Sequence, residues 1–250
     1  ERLRRLDGWE ARLRSCESDP DGPVFVALGE TIRRYRIPLE LFTDLLAAFR
    51  SDVTTPRHGS FGDLLAYCRC SAVPVGRLVL HLFGYRDAER CRLSDAICTA
   101  LQLANFWQDI SVDFGRGRIY LPQEEMERFG VSEADLAQHR VSAGFRDLLG
   151  FQIDRTAGLF REGRALPDRV SGRLRLELKL TWLGGMEVLR KIPAAGYDVF
   201  QNRPRITASD TVRLLLRALF GWRSAAVHGP TPQPTLTAQP VATPDAHGPR

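Results

Sequence analysis

The chain has 250 residues, 44% of them apolar, enough to bury one large helical core or two small ones. Its 35 Lys and Arg residues exceed its 30 Asp and Glu by five and are mixed with the acids rather than massed in one block. That pattern argues against nucleic-acid binding and gives a mild preference for anionic ligands or surfaces.

The N-terminal stretch from Glu1 reads as a polar helix start with neither an initiating Met nor a signal-peptide core, so a preceding segment is expected. Periodicity predicts helices over 2–16, 23–35, 38–50, 60–71, 75–84, 87–113, 122–128, 132–138, 142–164, 172–192 and 208–222, with strands few or absent. Pro23 and Pro38 fall where first-turn prolines belong, and Pro74 is expected to break the helix that starts near Gly62. Ser132 and Asp135 have capping spacing. Residues 226–250 are rich in Pro, Thr and Ala and read as a disordered tail, leaving 1–225 as one domain. Cys16, Cys68, Cys70, Cys91 and Cys98 have no zinc or CxxC spacing, the pattern of a reduced cytoplasmic chain. No apolar run reaches the roughly 18 residues of a transmembrane helix.

The segment Leu101–Asp113 carries the strongest chemical signal. At about 100° per residue, Gln102, Asn105, Asp109 and Asp113 fall at about 0°, 300°, 340° and 20°, a single stripe of two amides and two carboxylates. Apolar residues fill much of the remaining circumference, so the helix is expected to be buried nearly all round. Two readings fit the acids: a solvent-facing i,i+4 pair, or a magnesium clamp for a diphosphate. The apolar company favours the clamp, because unpaired carboxylates are costly to desolvate and magnesium completes its shell with phosphate oxygens and water. In the glycine-broken loop that follows, Arg116 and Arg118 suit either phosphate oxygens or neighbouring acids. Tyr67, one turn before Ser71, suits either the core or a cavity opened by the Pro74 break and the small residues Ala72 and Gly76.

Tyr67-Cys with Ser-Ala-x-Pro-Val-Gly, then Gln102-x-x-Asn105-x-x-x-Asp109-x-x-x-Asp113, then Gly117-Arg-Ile-Tyr-Leu-Pro122, resemble the squalene/phytoene synthase family in order and spacing from about residue 24 to 205. Gln108, where many members carry arginine, and Pro74 resemble its bacterial hydroxysqualene-forming branch in the hopanoid pathway. The resemblance implies an all-α isoprenoid (terpenoid) synthase fold with a central cavity between two aspartate-rich helices. It makes Asp109 and Asp113 the second aspartate motif, with Asn105 joining the Mg2+ shell and Gln102 lining the cavity. Tyr67 falls on the tyrosine that handles the cyclopropylcarbinyl intermediate, Arg118 on the arginine before Tyr-Leu-Pro, and Arg203 on a late arginine near the diphosphate. The first aspartate motif has no match, since Asp19 and Asp21 flank a proline in a loop, so the first helices of the fold are expected to be missing.

The branch implies conversion of presqualene diphosphate to hydroxysqualene without a hydride donor, and no GxGxxG for a nicotinamide cofactor is present. Leu78, Val79, Leu82 and Phe83 suit either the apolar wall of such a cavity or ordinary core. Two alternatives stand beside this reading: head-to-head prenyl transfer to presqualene diphosphate, squalene or phytoene, and a non-catalytic partner that docks a homologous synthase, or an inactive fragment of such a synthase. The segment 211–222, with Arg213 and Arg217 one turn apart, suits a core-packed terminal helix or a helix lying on a membrane surface.

Overall fold

The computed structural model describes residues 1–223; the predicted tail over 226–250 lies outside the described residues. The described chain is helical as expected, in the order α1 Arg2–Ser15, α2 Gly22–Tyr35, α3 Glu40–Thr54, α4 Phe61–Ser71, α5 Val73–Leu82, α6 Ala88–Gln108, α7 Ile110–Gly115, α8 Gln123–Arg128, α9 Glu133–Ala137, α10 Ala143–Gly163, α11 Gly172–Ala194 and α12 Ala208–Phe220. Among the described residues the only β pairing is an isolated bridge between Arg57 and Ile119.

Local chemistry sets most of the boundaries. Ser60 with Asp63, Ser132 with Asp135 and Thr207 with Asp210 form capping boxes that start α4, α9 and α12. Pro74 lies in the first turn of α5, and the chain turns at Ala72 between α4 and α5, as its lost N–H requires. Two helices depart from their predicted spans. Helix α3 runs to Thr54 rather than to residue 50, which places Asp52 in its last turn. The predicted helix 87–113 is interrupted at Asp109 (φ −107°, ψ 15°), giving α6 and α7. The hydrogen bonds Asp109 N–H to Asn105 O (2.9 Å) and Asp113 N–H to Asp109 O (2.8 Å) still span the break. The irregularity coincides with side-chain ties from Gln108 to the Pro204 carbonyl and from Asp109 to Arg203, which periodicity does not register.

The central layer is α6 packed along α10 and flanked by α5 and α11. Leu103, Phe106 and Trp107 of α6 are buried with Phe145, Leu148, Leu149 and Phe160 of α10. Trp107 Nε1 donates to Thr156 Oγ1 at 2.9 Å inside this interface, giving the buried indole the partner it needs. Helices α1, α2 and the start of α3 close a second apolar cluster around Phe25, Ile32 and Leu41. Helix α12 rests on α11 through Leu214 and Ala218 but leaves Val212, Leu216, Leu219 and Phe220 exposed.

Close approach of α6 and α10 depends on Gly163. A Cβ there would stand 2.4 Å from Ile97 Cγ1 and 2.8 Å from the Leu93 carbonyl oxygen. Replacing a glycine in a helix interior by alanine ordinarily stabilises by roughly 0.5–1 kcal/mol, and less is gained at the last residue of a helix, where Gly163 stands. Here the clash reverses the sign: Gly163→Ala is expected to destabilise the protein by roughly 1–3 kcal/mol in urea unfolding, and a stabilised variant would contradict this packing.

Candidate active site

The predicted stripe comes together at the junction of α6 and α7, but it is more open than the sequence indicated. Leu103, Ala104, Phe106, Trp107 and Ile110 are buried, whereas Asn105 is exposed, Gln102, Asp109 and Asp113 are half-buried, and Val112 is 39% exposed. The expectation of a helix buried nearly all round is therefore corrected: the polar stripe is its open side. The amides of Gln102 and Asn105 make no side-chain hydrogen bond among the described residues, so their donors and acceptors are available to a ligand.

The two acids have unequal environments. Asp109 is held by a bidentate pair with Arg203, Nε to Oδ1 at 2.5 Å and Nη2 to Oδ2 at 2.9 Å. This fork is the strong form of a guanidinium–carboxylate contact. Asp113 has no such partner. Burial, and next the charge of Asp109, push its pKa up to about 6, against the weaker pull of Arg116, Arg118 and Arg203. Arg116 is exposed, and Arg118 lines a small cavity of about 10 Å³ together with Asp113, Phe106 and Tyr120.

Beyond the stripe lies a second constellation that the sequence reading missed in part. Tyr67 of α4 donates its hydroxyl to Asp52 Oδ1 at 2.7 Å. Arg118 Nη2 donates to the Asp52 carbonyl at 3.3 Å, and its Nη1 lies 3.8 Å from Asp52 Oδ2. Tyr120 stacks on Phe106 with ring centroids 3.7 Å apart and also on His58 at 5.6 Å. Backbone pairing brings these groups into register: Ile119 N–H donates to the Pro56 carbonyl (3.0 Å) and Gln123 N–H to that of His58 (2.9 Å). Desolvation, and next the Asp52 bond, raise the Tyr67 pKa well above the usual phenol value; burial lowers that of His58. Asp52, His58 and Tyr120 were not singled out from sequence. Asp52 gave no signal there, because the predicted helix ends at residue 50; only the extension of α3 to Thr54 puts this acid in a last turn, where it opposes the helix dipole and calls for a donor nearby.

Of the predicted apolar wall, Leu78 and Val79 are half-buried while Leu82 and Phe83 are 43% and 47% exposed, so the last two are not core. Ser71 Oγ is buried without a hydrogen-bond partner at the α4–α5 break.

An acid pair can hold a cation only if the donor set suits it. No group of three or more His, Cys, Asp or Glu side chains able to hold a metal occurs among the described residues. Two carboxylates and one amide, all oxygen donors, suit an ion that takes part of its shell from phosphate and water, and Mg2+ is such an ion. The under-compensated Asp113 supports that fit.

The fold that carries this site is the isoprenoid-synthase fold. A profile of the squalene/phytoene synthase family matches residues 1–210, and the chain belongs to that family, whose members are prenyltransferase and synthase enzymes. It is similar to the solved squalene synthase HpnC from Alicyclobacillus acidocaldarius, with 44% identity and a TM-score of 0.76 over 79% of this chain and 75% of that one. It is 32% identical to the 15-cis-phytoene synthase of Synechococcus elongatus over 211 residues, 79% of this chain and 68% of that protein. It is also 30% identical to the chloroplastic phytoene synthase 3 of Zea mays over 220 residues, 85% of this chain but 52% of the maize protein. The chain thus spans about half the length of that relative.

The inequality of the two acids has a measurable consequence in metal-free protein. A carboxyl whose folded pKa is raised favours folding while protonated, and that contribution is lost as pH rises through about 6. Asp113→Asn removes the charge and is expected to be more stable than the parent at pH 7.5 in EDTA by on the order of 1–3 kcal/mol, with the advantage shrinking towards pH 5. Thermal melts at the two pH values that gave the same difference would contradict the assignment.

Proposed function

We propose that the protein is a Mg2+-dependent enzyme that converts presqualene diphosphate to hydroxysqualene by ionisation, cation rearrangement and capture of water, in the squalene and hopanoid branch of isoprenoid synthesis. The observation that carries the reading is the acid pair Asp109–Asp113, with Asp113 under-compensated, beside the guanidinium groups of Arg116, Arg118 and Arg203. The 44% identity to a squalene synthase favours a squalene-type product over phytoene.

In this reading Asp109, Asp113 and the Asn105 amide hold the ion, which when bound supplies positive charge to a leaving diphosphate. Arg116 and Arg118 are free of full ion pairing at the mouth and meet diphosphate oxygens, and Arg203 exchanges part of its bond to Asp109 for the same oxygens. Gln102, on the same open stripe, orients the diphosphate end of the substrate. The C–O bond to diphosphate breaks with its electron pair leaving on oxygen, and the resulting carbocation lies near Tyr67. No nicotinamide cofactor enters, because water rather than hydride ends the reaction.

The identities of 30–32% to phytoene synthases support a second reading, head-to-head condensation of two prenyl diphosphates. The full-length protein with Mg2+ separates the two. Presqualene diphosphate is expected to give the alcohol, farnesyl diphosphate alone is expected to give no product, and Asp109→Asn is expected to lower kcat/KM at least 100-fold. Turnover of farnesyl diphosphate without turnover of presqualene diphosphate would replace the first reading by the second.

A lipid substrate and product also make peripheral contact with a membrane a natural part of this reading. No described helix is long and apolar enough to cross a membrane. Helix α12, however, exposes Leu216 (53%), Leu219 (51%) and Phe220 (83%) beside Arg213 and Arg217. The double substitution Leu216→Asp, Phe220→Asp is expected to cut co-flotation with anionic liposomes at least fivefold. Equal flotation would exclude this face as the contact.

A further inference from the structure

Water capture releases a proton, and the reaction as proposed leaves that proton without a named destination. Asp109 and Asp113 are unsuitable acceptors in that reading because they face the ion. Tyr67 alone is unsuitable as well. Its hydroxyl is already the donor to Asp52, and burial and that bond keep it a neutral phenol. A phenol that donates to a carboxylate can nevertheless accept a proton on its free lone pair while passing its own proton on.

We infer that Asp52, acting through the hydroxyl of Tyr67, is the proton acceptor for the water-capture step. The inference rests on the hydroxysqualene reading. The oxygen lone pair of water forms the new C–O bond to the carbocation, the oxonium proton moves to Tyr67 Oη, and the original Tyr67 proton crosses the existing 2.7 Å hydrogen bond to Asp52 Oδ1. Carbocation, water and carboxylate become alcohol and carboxylic acid, and charge balances without an oxidant or a reductant. Arg118, which donates to the Asp52 carbonyl and lies 3.8 Å from Oδ2, places a positive charge beside the acceptor carboxylate. The Asp52 side chain is 25% exposed, so the proton leaves to solvent before the next turnover. The geometry gives the network a direction: Tyr67 donates its one polar hydrogen to Asp52, so its lone pairs are what it has left to accept a proton.

Other charged groups near this network do not compete. His58 is buried against the rings of Tyr67 and Tyr120 with its pKa lowered, and Asp63 is taken up in the Ser60 capping box. The released diphosphate is the remaining rival acceptor.

The test uses the full-length protein with Mg2+ and presqualene diphosphate and measures alcohol formed per diphosphate released, a ratio independent of overall rate. Asp52→Asn keeps an oxygen for Tyr67 to donate to but cannot take up a proton. The ratio is expected to fall at least tenfold, with hydrocarbon or rearranged alcohol products making up the balance. Tyr67→Phe, which leaves Asp52 in place but cuts the relay, is expected to lower the ratio to a similar extent. An unchanged ratio in Asp52→Asn overturns the inference and points to diphosphate as the acceptor. Loss of diphosphate release in step with alcohol assigns Asp52 to ionisation or folding and also overturns it. A parent protein that makes no alcohol at all overturns the hydroxysqualene reading and the inference together, an outcome distinct from failure of the relay alone.

Discussion

Two carboxylates one helical turn apart on a half-buried surface form the constraint around which the rest of the site is arranged. Like charges at that spacing repel, and partial desolvation makes each ionised form more costly. The protein answers asymmetrically. Asp109 receives a guanidinium fork from Arg203, a residue 94 positions away in the chain, while Asp113 receives only weaker attractions and its pKa is pushed up to about 6. One acid is already paired, and the other is poised to gain from any cation placed beside it. This division is possible because the opposite side of α6 is fixed by Leu103, Phe106 and Trp107 in the α10 interface, so the stripe cannot rotate away to relieve the repulsion.

A third acid of the site obeys a related logic. Asp52 sits in the last turn of α3, where the helix dipole disfavours a negative charge. The Tyr67 hydroxyl and the Arg118 guanidinium offset that penalty, and both arrive from other parts of the chain. Their arrival depends on the short pairing of residues 56–58 with 119–123, which places the end of α3 beside the loop after α7. Arg118 then joins the two acid sets, bonded to the Asp52 carbonyl on one side and drawing on Asp113 on the other.

What the sequence made legible follows from the range of the interactions concerned. Capping boxes, the Pro74 break and the i, i+3, i+7, i+11 stripe from Gln102 to Asp113 are local, and helical periodicity expresses them directly. The irregularity at Asp109 is not local, since it accompanies contacts from Arg203 and Gln108 to a distant strap of chain. Asp52 escaped notice for the same reason: its partners are Tyr67 and Arg118, and the predicted end of its helix at residue 50 left it in a loop. The openness at Asn105 and Val112 was invisible because apolar neighbours along a helix indicate what is available for burial, not which neighbours come to cover it.

The aromatic residues near Tyr67 resemble at first a receptor for a carbocation, since π faces attract positive charge. Their mutual geometry argues for another role. Tyr120 has its ring stacked on Phe106 at 3.7 Å and 10° and also on His58, so the faces that would attract a cation are turned towards one another. Tyr67 is tilted against all three rings, by 38° to 54°, and is not stacked with any of them. The stack therefore acts as a rigid support that fixes the height and pitch of the Tyr67 ring, while burial keeps His58 neutral and adds no positive charge beside it. In the proposed reaction Tyr67, the ring outside this stack, is the one left to meet a cation, and its hydroxyl donates to Asp52.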